Sequence, residues 1–243
     1  DRPVLGGNAS SEMRMGIVGT KIDDTQETGI LEEMQLRNFY YNPLQRYTMW
    51  DDAIYTTVIS EPNIKLLLNT SVNDVVMNGE RIAAVKAWNI NAYTDYTING
   101  TIFIDCTGDG ILRLSGAQYR HGRELPSEFG ESCQAEGGDA KTMGNSLLIQ
   151  LRRTDEEVPF EAPEWAYHFT DADFDYSVPE STIPGMKFNY KRIYYAEDNN
   201  FWWCEFGGNF DTIADANDIQ FELKKIVYGI WEYMKNHPDG RGK

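Results

Sequence analysis

Histidine and cysteine are scarce in this chain of 243 residues, with three of each. His121, His168 and His237 share no metal-ligand spacing with one another or with Cys106, Cys133 and Cys204. No C-x-x-C pair occurs, which excludes a zinc knuckle and a dithiol redox centre. Basic residues are also few: 22 Lys and Arg stand against 38 Asp and Glu, a net charge of −16. That balance excludes nucleic-acid binding, which needs a basic face. No apolar run approaches the length of a membrane-spanning helix, and no charged start precedes an apolar leader-like stretch. The expectation is a soluble chain with no nucleic-acid or membrane partner, and compartment and oligomeric state open. G-x-G-x-x-G is missing too, since Gly108-x-Gly110 followed by Gly116 has the wrong spacing.

Two glycine turns, roughly a hundred residues apart, are the features present that carry most information. The first lies in Asp1-Arg2-Pro3-Val4-Leu5-Gly6-Gly7-Asn8-Ala9-Ser10-Ser11-Glu12. The second, Ile102-Phe103-Ile104-Asp105-Cys106-Thr107-Gly108-Asp109-Gly110, runs into Ile111-Leu112-Arg113-Leu114-Ser115-Gly116 and reads as strand, tight turn and helix. Glycine lets backbone N–H groups approach a ligand closely, and a helix N-terminus favours an anion. Read from the residues alone, either turn is a ligand contact or an ordinary connection.

Between the turns the pattern is mixed. Glu27 to Asn42 reads as a helix through Ile30, Leu31, Met34 and Tyr41, stopped by Pro43, and a second helix follows from Tyr47 to Ser60. Ile64–Leu68 reads as a buried parallel strand. Asn78-Gly79 and Asn99-Gly100 each predict a hairpin, because type I′ turns need positive φ at both central residues. Together they predict an antiparallel meander from Val72 to Ile104. After Leu147 the character changes: short strands at 147–152, 187–195 and 201–206 are followed by a helix capped by Asp215 and ended by His237-Pro238. The division expected is 1–145 and 146–243. Aromatic residues make up 13% of the chain, Trp202-Trp203 among them, and suit either a ring- or sugar-stacking pocket or an ordinary core.

With these residues in view, the chain resembles the FAD-dependent oxidoreductases of the glutathione-reductase/fumarate-reductase superfamily. Leu5-Gly6-Gly7-Asn8 resembles the stretch that passes the pyrophosphate and flavin in that family. Cys106-Thr107-Gly108-Asp109-Gly110 resembles its later cofactor-closing turn. The opening DRPVLGGNASSE and the mid-chain KTMGNSLL are similar to a bacterial branch. The resemblance implies an α/β fold: an incomplete FAD/NAD(P)-binding Rossmann-like domain with an inserted antiparallel β-meander, plus an α+β substrate-side region. It also implies that the first strand–turn–helix of the family unit and its final segment lie outside these residues, so that this chain alone binds FAD weakly or not at all and is inactive.

Cofactor-binding candidates are then Arg2, Gly6, Gly7, Asn8, Ser10, Ser11, Val72, Thr107, Gly108, Asp109 and Gly110. Members that bind flavin covalently carry a His just after the Gly-Gly. Asn8-Ala9-Ser10-Ser11 stands there, which implies non-covalent FAD. Asp109 is equally a cap for the following helix. Catalytic candidates are Arg14, His121 and Glu205, with Glu12 and Arg123 beside them, because a flavin carries electrons while the protein orients the substrate and moves protons. A small organic, carbohydrate-related substrate fits the aromatics. The alternative is a non-catalytic binding module that keeps the scaffold without flavin; a polysaccharide hydrolase or lyase ranks last because no acid/base pair is recognisable.

Overall fold

The computed structural model describes residues 1–17, 28–108, 110–130, 137–152, 154–174, 187–188, 200–201, 204–240 and 242. Two compact units divide the chain, Asp1–Tyr119 and Arg120–Lys243. Both mix helix with antiparallel sheet.

The first unit opens with a 3-10 turn at Gly7–Ala9, followed by α1 (Ile30–Tyr41) and α2 (Tyr47–Ile59). Asn42 joins the two helices and is buried. Its amide donates to Asn38 Oδ1 and the Arg46 carbonyl at 2.9 and 2.8 Å, and its carbonyl oxygen accepts the Arg46 N–H at 2.8 Å. Every polar atom of that buried side chain is thereby satisfied. Trp50, Ala53 and Ile54 of α2 form a small core on which Leu5 and Met34 pack. α1 contributes little else: Ile30, Leu36, Phe39, Tyr40 and Tyr41 are exposed.

A three-stranded antiparallel sheet follows, β1 (Thr70–Asn78), β2 (Arg81–Asn89) and β3 (Thr94–Asn99), in the order β1-β2-β3. The Asn78-Gly79 hairpin forms as expected, with Asn78 opposite Arg81 and Gly79 at φ 61°. The expected Asn99-Gly100 hairpin does not. β3 ends at Asn99, the Gly100 N–H reaches back to the Ala83 carbonyl at 3.3 Å, and 101–105 stays outside the sheet. Ile102 and Ile104 are 81% and 84% exposed, so the alternation that predicts a strand has no described partner to pair with. β2 and β3 are instead joined at Asn91–Tyr93, where the Asn89 side chain accepts the N–H groups of Asn91 and Ala92. That Asx-type closure supplies the turn without an Asn-Gly pair. Ile64–Leu68 is likewise irregular, and no parallel strand pair occurs among the described residues. The short helix α3 (Ile111–Ser115) packs against β1.

The second unit contains α4 (Pro126–Phe129), β4 (Asn145–Ser146), β5 (Ile149–Gln150), β6 (Lys187–Phe188), β7 (Asn200–Phe201), β8 (Cys204–Phe206) and α5 (Ala216–Asn236). β8 pairs with both β4 and β6, and β5 pairs with β7, all antiparallel. Of the strand expected over 147–152 only Ile149–Gln150 pairs, while Asn145–Ser146 forms a separate ladder just before it. Much of the strand expected over 187–195, the turn after it and Trp202-Trp203 fall outside the described residues.

α5 is the organiser of this unit. Ile219, Leu223, Ile226, Val227, Ile230 and Met234 recur every three or four residues and are buried against Cys204 and Phe206, with Leu147, Ile149, Leu151, Tyr167 and Phe169 around them. Asp215 stands at the N-cap position but reaches backward, accepting the Asp211 N–H at 3.2 Å. Gly229 sits in the middle of the helix because the Tyr167 carbonyl lies where its Cβ would be. Helix propensity favours Ala over Gly by about 1 kcal/mol, whereas forcing an atom into a packed contact costs roughly 1–3 kcal/mol. Gly229→Ala is therefore expected to lower the urea unfolding midpoint; an unchanged or raised midpoint would show the contact to be soft.

Candidate functional site

The first glycine turn is built from left-handed backbone. Gly6 has φ 105° and Gly7 φ 55°, a region that side chains with a Cβ rarely adopt. A Cβ on Gly6 would meet Ile54 Cδ1 at 2.9 Å, so α2 forms the floor of the turn. Above Gly7 nothing lies within 4 Å of the Cβ position. The turn closes through Ala9 N–H to the Gly6 carbonyl and Ser10 N–H to the Gly7 carbonyl, at 3.0 and 3.1 Å. The N–H groups of Gly7 and Asn8 have no partner among the described residues, and both residues are exposed. Open N–H groups on an exposed turn are what an anionic ligand needs.

Ser10 and Ser11 sit differently from the sequence expectation of ligand donors. Ser10 is completely buried; its hydroxyl donates to the Gly7 carbonyl at 2.7 Å and accepts the Glu12 N–H at 3.3 Å. Ser11 gives its N–H to Asp51 Oδ1 at 2.8 Å. Asp51 is a buried carboxylate of α2 to which no sequence signal pointed, since an acidic residue inside a helix ordinarily faces water. Arg14 adopts φ 54°, donates from Nε to the Ser11 carbonyl at 3.1 Å and lies 5.6 Å from the centre of the Tyr47 ring. Arg2 meets Glu12 at 3.4 Å with both side chains over a third exposed. Such a pair is worth little by itself.

The second turn is held by its own side chains. Asp105 accepts the Thr107 N–H at 2.9 Å and the Thr107 hydroxyl at 2.7 Å, and the Thr107 hydroxyl oxygen accepts the Gly110 N–H at 3.2 Å. The Thr107 backbone and hydroxyl, with the Ile111 N–H, hold the Asp105 carboxyl below the usual carboxylate range. Asp105, not named by the sequence reading, therefore organises this turn; Asp109 lies outside the described residues. The signal was available, because an Asp two residues before a Thr-Gly is a common Asx-turn pattern.

Val72 is opposite Ala87 on β1, beside a bulge between Val72 and Asp74. Bulges re-aim side chains and leave backbone groups free of the ladder. The Arg2 carbonyl accepts the Asn69 N–H at 3.0 Å, so the entry to the first turn runs beside the start of β1, and α3 packs on the same strand. Arg2, Val72 and the helix after the second turn are thus all tied to β1.

His121 and Glu205 belong to the other compact unit. His121 is exposed in a loop. Two residues on, Arg123 exchanges backbone hydrogen bonds with Asp139 and makes a two-pronged ion pair with its carboxylate, one prong at 2.9 Å. Glu205 accepts the Gly144 N–H at 2.9 Å and thereby fastens β4 to β8. Beside it the Cys204 thiol is pushed up to about 12 by burial and by the Glu205 charge, so it is neither a nucleophile nor a redox group near neutral pH. No group of His, Cys, Asp and Glu side chains able to hold a metal occurs among the described residues. No helix among them is long and apolar enough to cross a membrane.

A turn that opens backbone N–H groups, a bulged strand and a second glycine turn suit a phosphate-bearing cofactor. The sequence model of the FAD dependent oxidoreductase family matches residues 1–241. The chain belongs to that family. Neither the curated proteins nor the solved structures yield a match. Membership makes this a flavin-dependent oxidoreductase, with FAD as the family's cofactor and a small molecule as substrate. The first turn fits such a cofactor on its own geometry: open N–H groups, and free space over Gly7 that a Cβ would enter.

The Arg123–Asp139 clasp of this FAD dependent oxidoreductase carries a pH dependence. The guanidinium hydrogen bond lowers the Asp139 carboxyl from 3.8 to about 2. A carboxyl depressed by folding stabilises the fold above its ordinary value, and the contribution disappears as pH falls through the folded one. An NMR titration of the Asp139 carboxyl is expected to give a midpoint near 2, returning toward 3.8 in Arg123→Met. An ordinary midpoint in the unaltered protein would contradict the clasp.

Proposed function

We propose that this chain contributes the inner cofactor face of an FAD-dependent oxidoreductase acting on a small organic, carbohydrate-related molecule. The observation that carries the reading is the first glycine turn, where the exposed Gly7 and Asn8 leave their N–H groups without a partner among the described residues while Ala9 and Ser10 close the turn. In this reading 1–145 is the cofactor-side, Rossmann-like part and 146–243 the substrate-side part. When bound, FAD supplies two-electron chemistry, accepting or returning a hydride equivalent.

The chain's own residues then divide the work. Gly7 and Asn8 donate backbone hydrogen bonds to cofactor oxygens, and Gly6 lets the turn lie flat on Ile54. Arg2 and Arg14 offset phosphate charge in a chain of net charge −16. Ser10 and Ser11 shape the turn from within. Thr107, Gly108, Asp109 and Gly110 are assigned to a further wall of the cofactor site by the family resemblance. Its Thr107 N–H is already taken by Asp105, so that wall works through close backbone approach at Gly108, with φ 89°. Val72 offers its strand backbone to a planar base. Arg14 also stands as the charged group that orients a substrate, His121 as the exposed group able to move a proton, and Glu205 as the carboxylate that follows Trp202-Trp203 in sequence. Asn8 stands where covalent members have His, so the flavin is held non-covalently.

The competing reading is a binding module without flavin. It is favoured by Glu205 and the second turn being spent on internal hydrogen bonds. Colour separates the two. The protein is expected to carry flavin absorbance, released into the supernatant by acid precipitation. Gly7→Val is expected to weaken FAD binding by tenfold or more, because losing backbone contacts to a charged group costs roughly 1.5–3 kcal/mol. A colourless protein that takes up no added FAD would favour the module, and flavin remaining in the acid pellet would contradict the role given to Asn8.

A further inference from the structure

The polar floor beneath the first glycine turn touches none of the groups proposed to meet the cofactor directly, yet its geometry is specific. Asp51 lies inside α2, is buried, and spends Oδ1 on the N–H of Ser11, forty residues away in sequence. One turn of helix later, Ile54 fills the space under Gly6. Ser10, between the two contacts, is wholly enclosed and ties the Gly7 carbonyl to the Glu12 N–H through its hydroxyl. Leu5, which enters the turn, packs on the same Trp50, Ala53 and Ile54 cluster. Entry, floor and exit of the turn are therefore all fixed by one face of α2.

We propose that Asp51 is the positioning residue of the cofactor turn: it acts through Ser11 to hold the Gly7 and Asn8 N–H groups outward before the cofactor arrives. This rests on the flavin reading given above. A buried carboxylate is costly unless its hydrogen bonds are made. A bond from a charged acceptor to a backbone N–H is among the stronger ones available. Using it on a surface turn is physically sensible if the turn must not relax, since left-handed glycine backbone has little intrinsic preference for one shape. Preorganised donors bind more tightly because no ordering cost remains to be met on binding. The role depends on the position of the acceptor atom, not on its charge. A negative charge beside an anionic ligand would by itself weaken binding.

That distinction gives the test, made on the protein by titrating FAD and following quenching of its fluorescence. Asp51→Asn keeps an acceptor oxygen at the same place and is expected to bind within about threefold of the unaltered protein. Asp51→Glu keeps the charge but shifts the acceptor by a methylene, and is expected to lose tenfold or more. Asp51→Ala is expected to lose at least as much. Amide hydrogen exchange at Ser11 without FAD should be faster in the Glu and Ala variants and unchanged in the Asn variant. Val85→Ala trims the buried face of β2, away from the turn, and serves as the stability control: it should lower the urea midpoint while leaving FAD affinity within threefold.

Asn as defective as Ala, Glu equal to the unaltered protein, or affinity that merely follows the urea midpoint through all four variants would each overturn the inference. Tighter FAD binding in Asp51→Asn or Asp51→Ala would overturn it too, showing that the charge opposes the ligand. Absence of FAD uptake by the unaltered protein would instead overturn the flavin reading itself.

Discussion

The Ser11 N–H meets the Asp51 carboxylate in a buried position, and the shape of the first glycine turn depends on that contact. Gly6 and Gly7 supply conformational freedom but no direction. Direction comes from α2, through the carboxylate at one end of the turn, Ile54 beneath its middle and the core that receives Leu5. With those fixed, the turn can satisfy its interior groups through Ser10 and still leave N–H groups toward solvent. The second turn is closed by side chains instead: Asp105 accepts the Thr107 N–H and hydroxyl, and the Thr107 hydroxyl accepts the Gly110 N–H.

The second unit rests on a different constraint. α5 must bury one apolar stripe, and the short strands have little cohesion apart from it. Polar contacts extend its reach: Glu232 accepts the Ala162 N–H at 2.8 Å and pairs with His168 at 2.6 Å, and the Glu222 carboxylate receives the Tyr167 hydroxyl. That last bond, with burial, pushes the Tyr167 phenol up to about 12, so it remains a donor throughout the ordinary pH range. These bonds tie 162–168, otherwise irregular in structure, to the flank of the helix.

Periodic features were legible in the sequence. The spacing from Ile219 to Met234 predicts α5 and its buried face, and Asn78-Gly79 predicts the hairpin between β1 and β2. Failures arose where pattern needs a partner to become structure. Ile102 and Ile104 alternate as a strand should, but a strand exists only when another backbone pairs with it. Ile64–Leu68 fails for the same reason. Site residues divided similarly: the glycines announced themselves, because few other residues adopt their backbone, whereas Asp51 and Asp105 act through long-range or local hydrogen bonds that a linear pattern does not display. Ser10 was legible as a polar residue at the site but not as a buried one.

The central claim is that the first glycine turn, shaped by α2, receives the cofactor through its outward N–H groups. Amide chemical-shift changes on adding FAD to isotopically labelled protein test this most directly. The account predicts that the Gly7 and Asn8 amides shift most, with smaller changes at 107–110, while Ser11, already bonded to Asp51, moves little. FAD binding that leaves Gly7 and Asn8 unperturbed and shifts only residues outside both turns would contradict it.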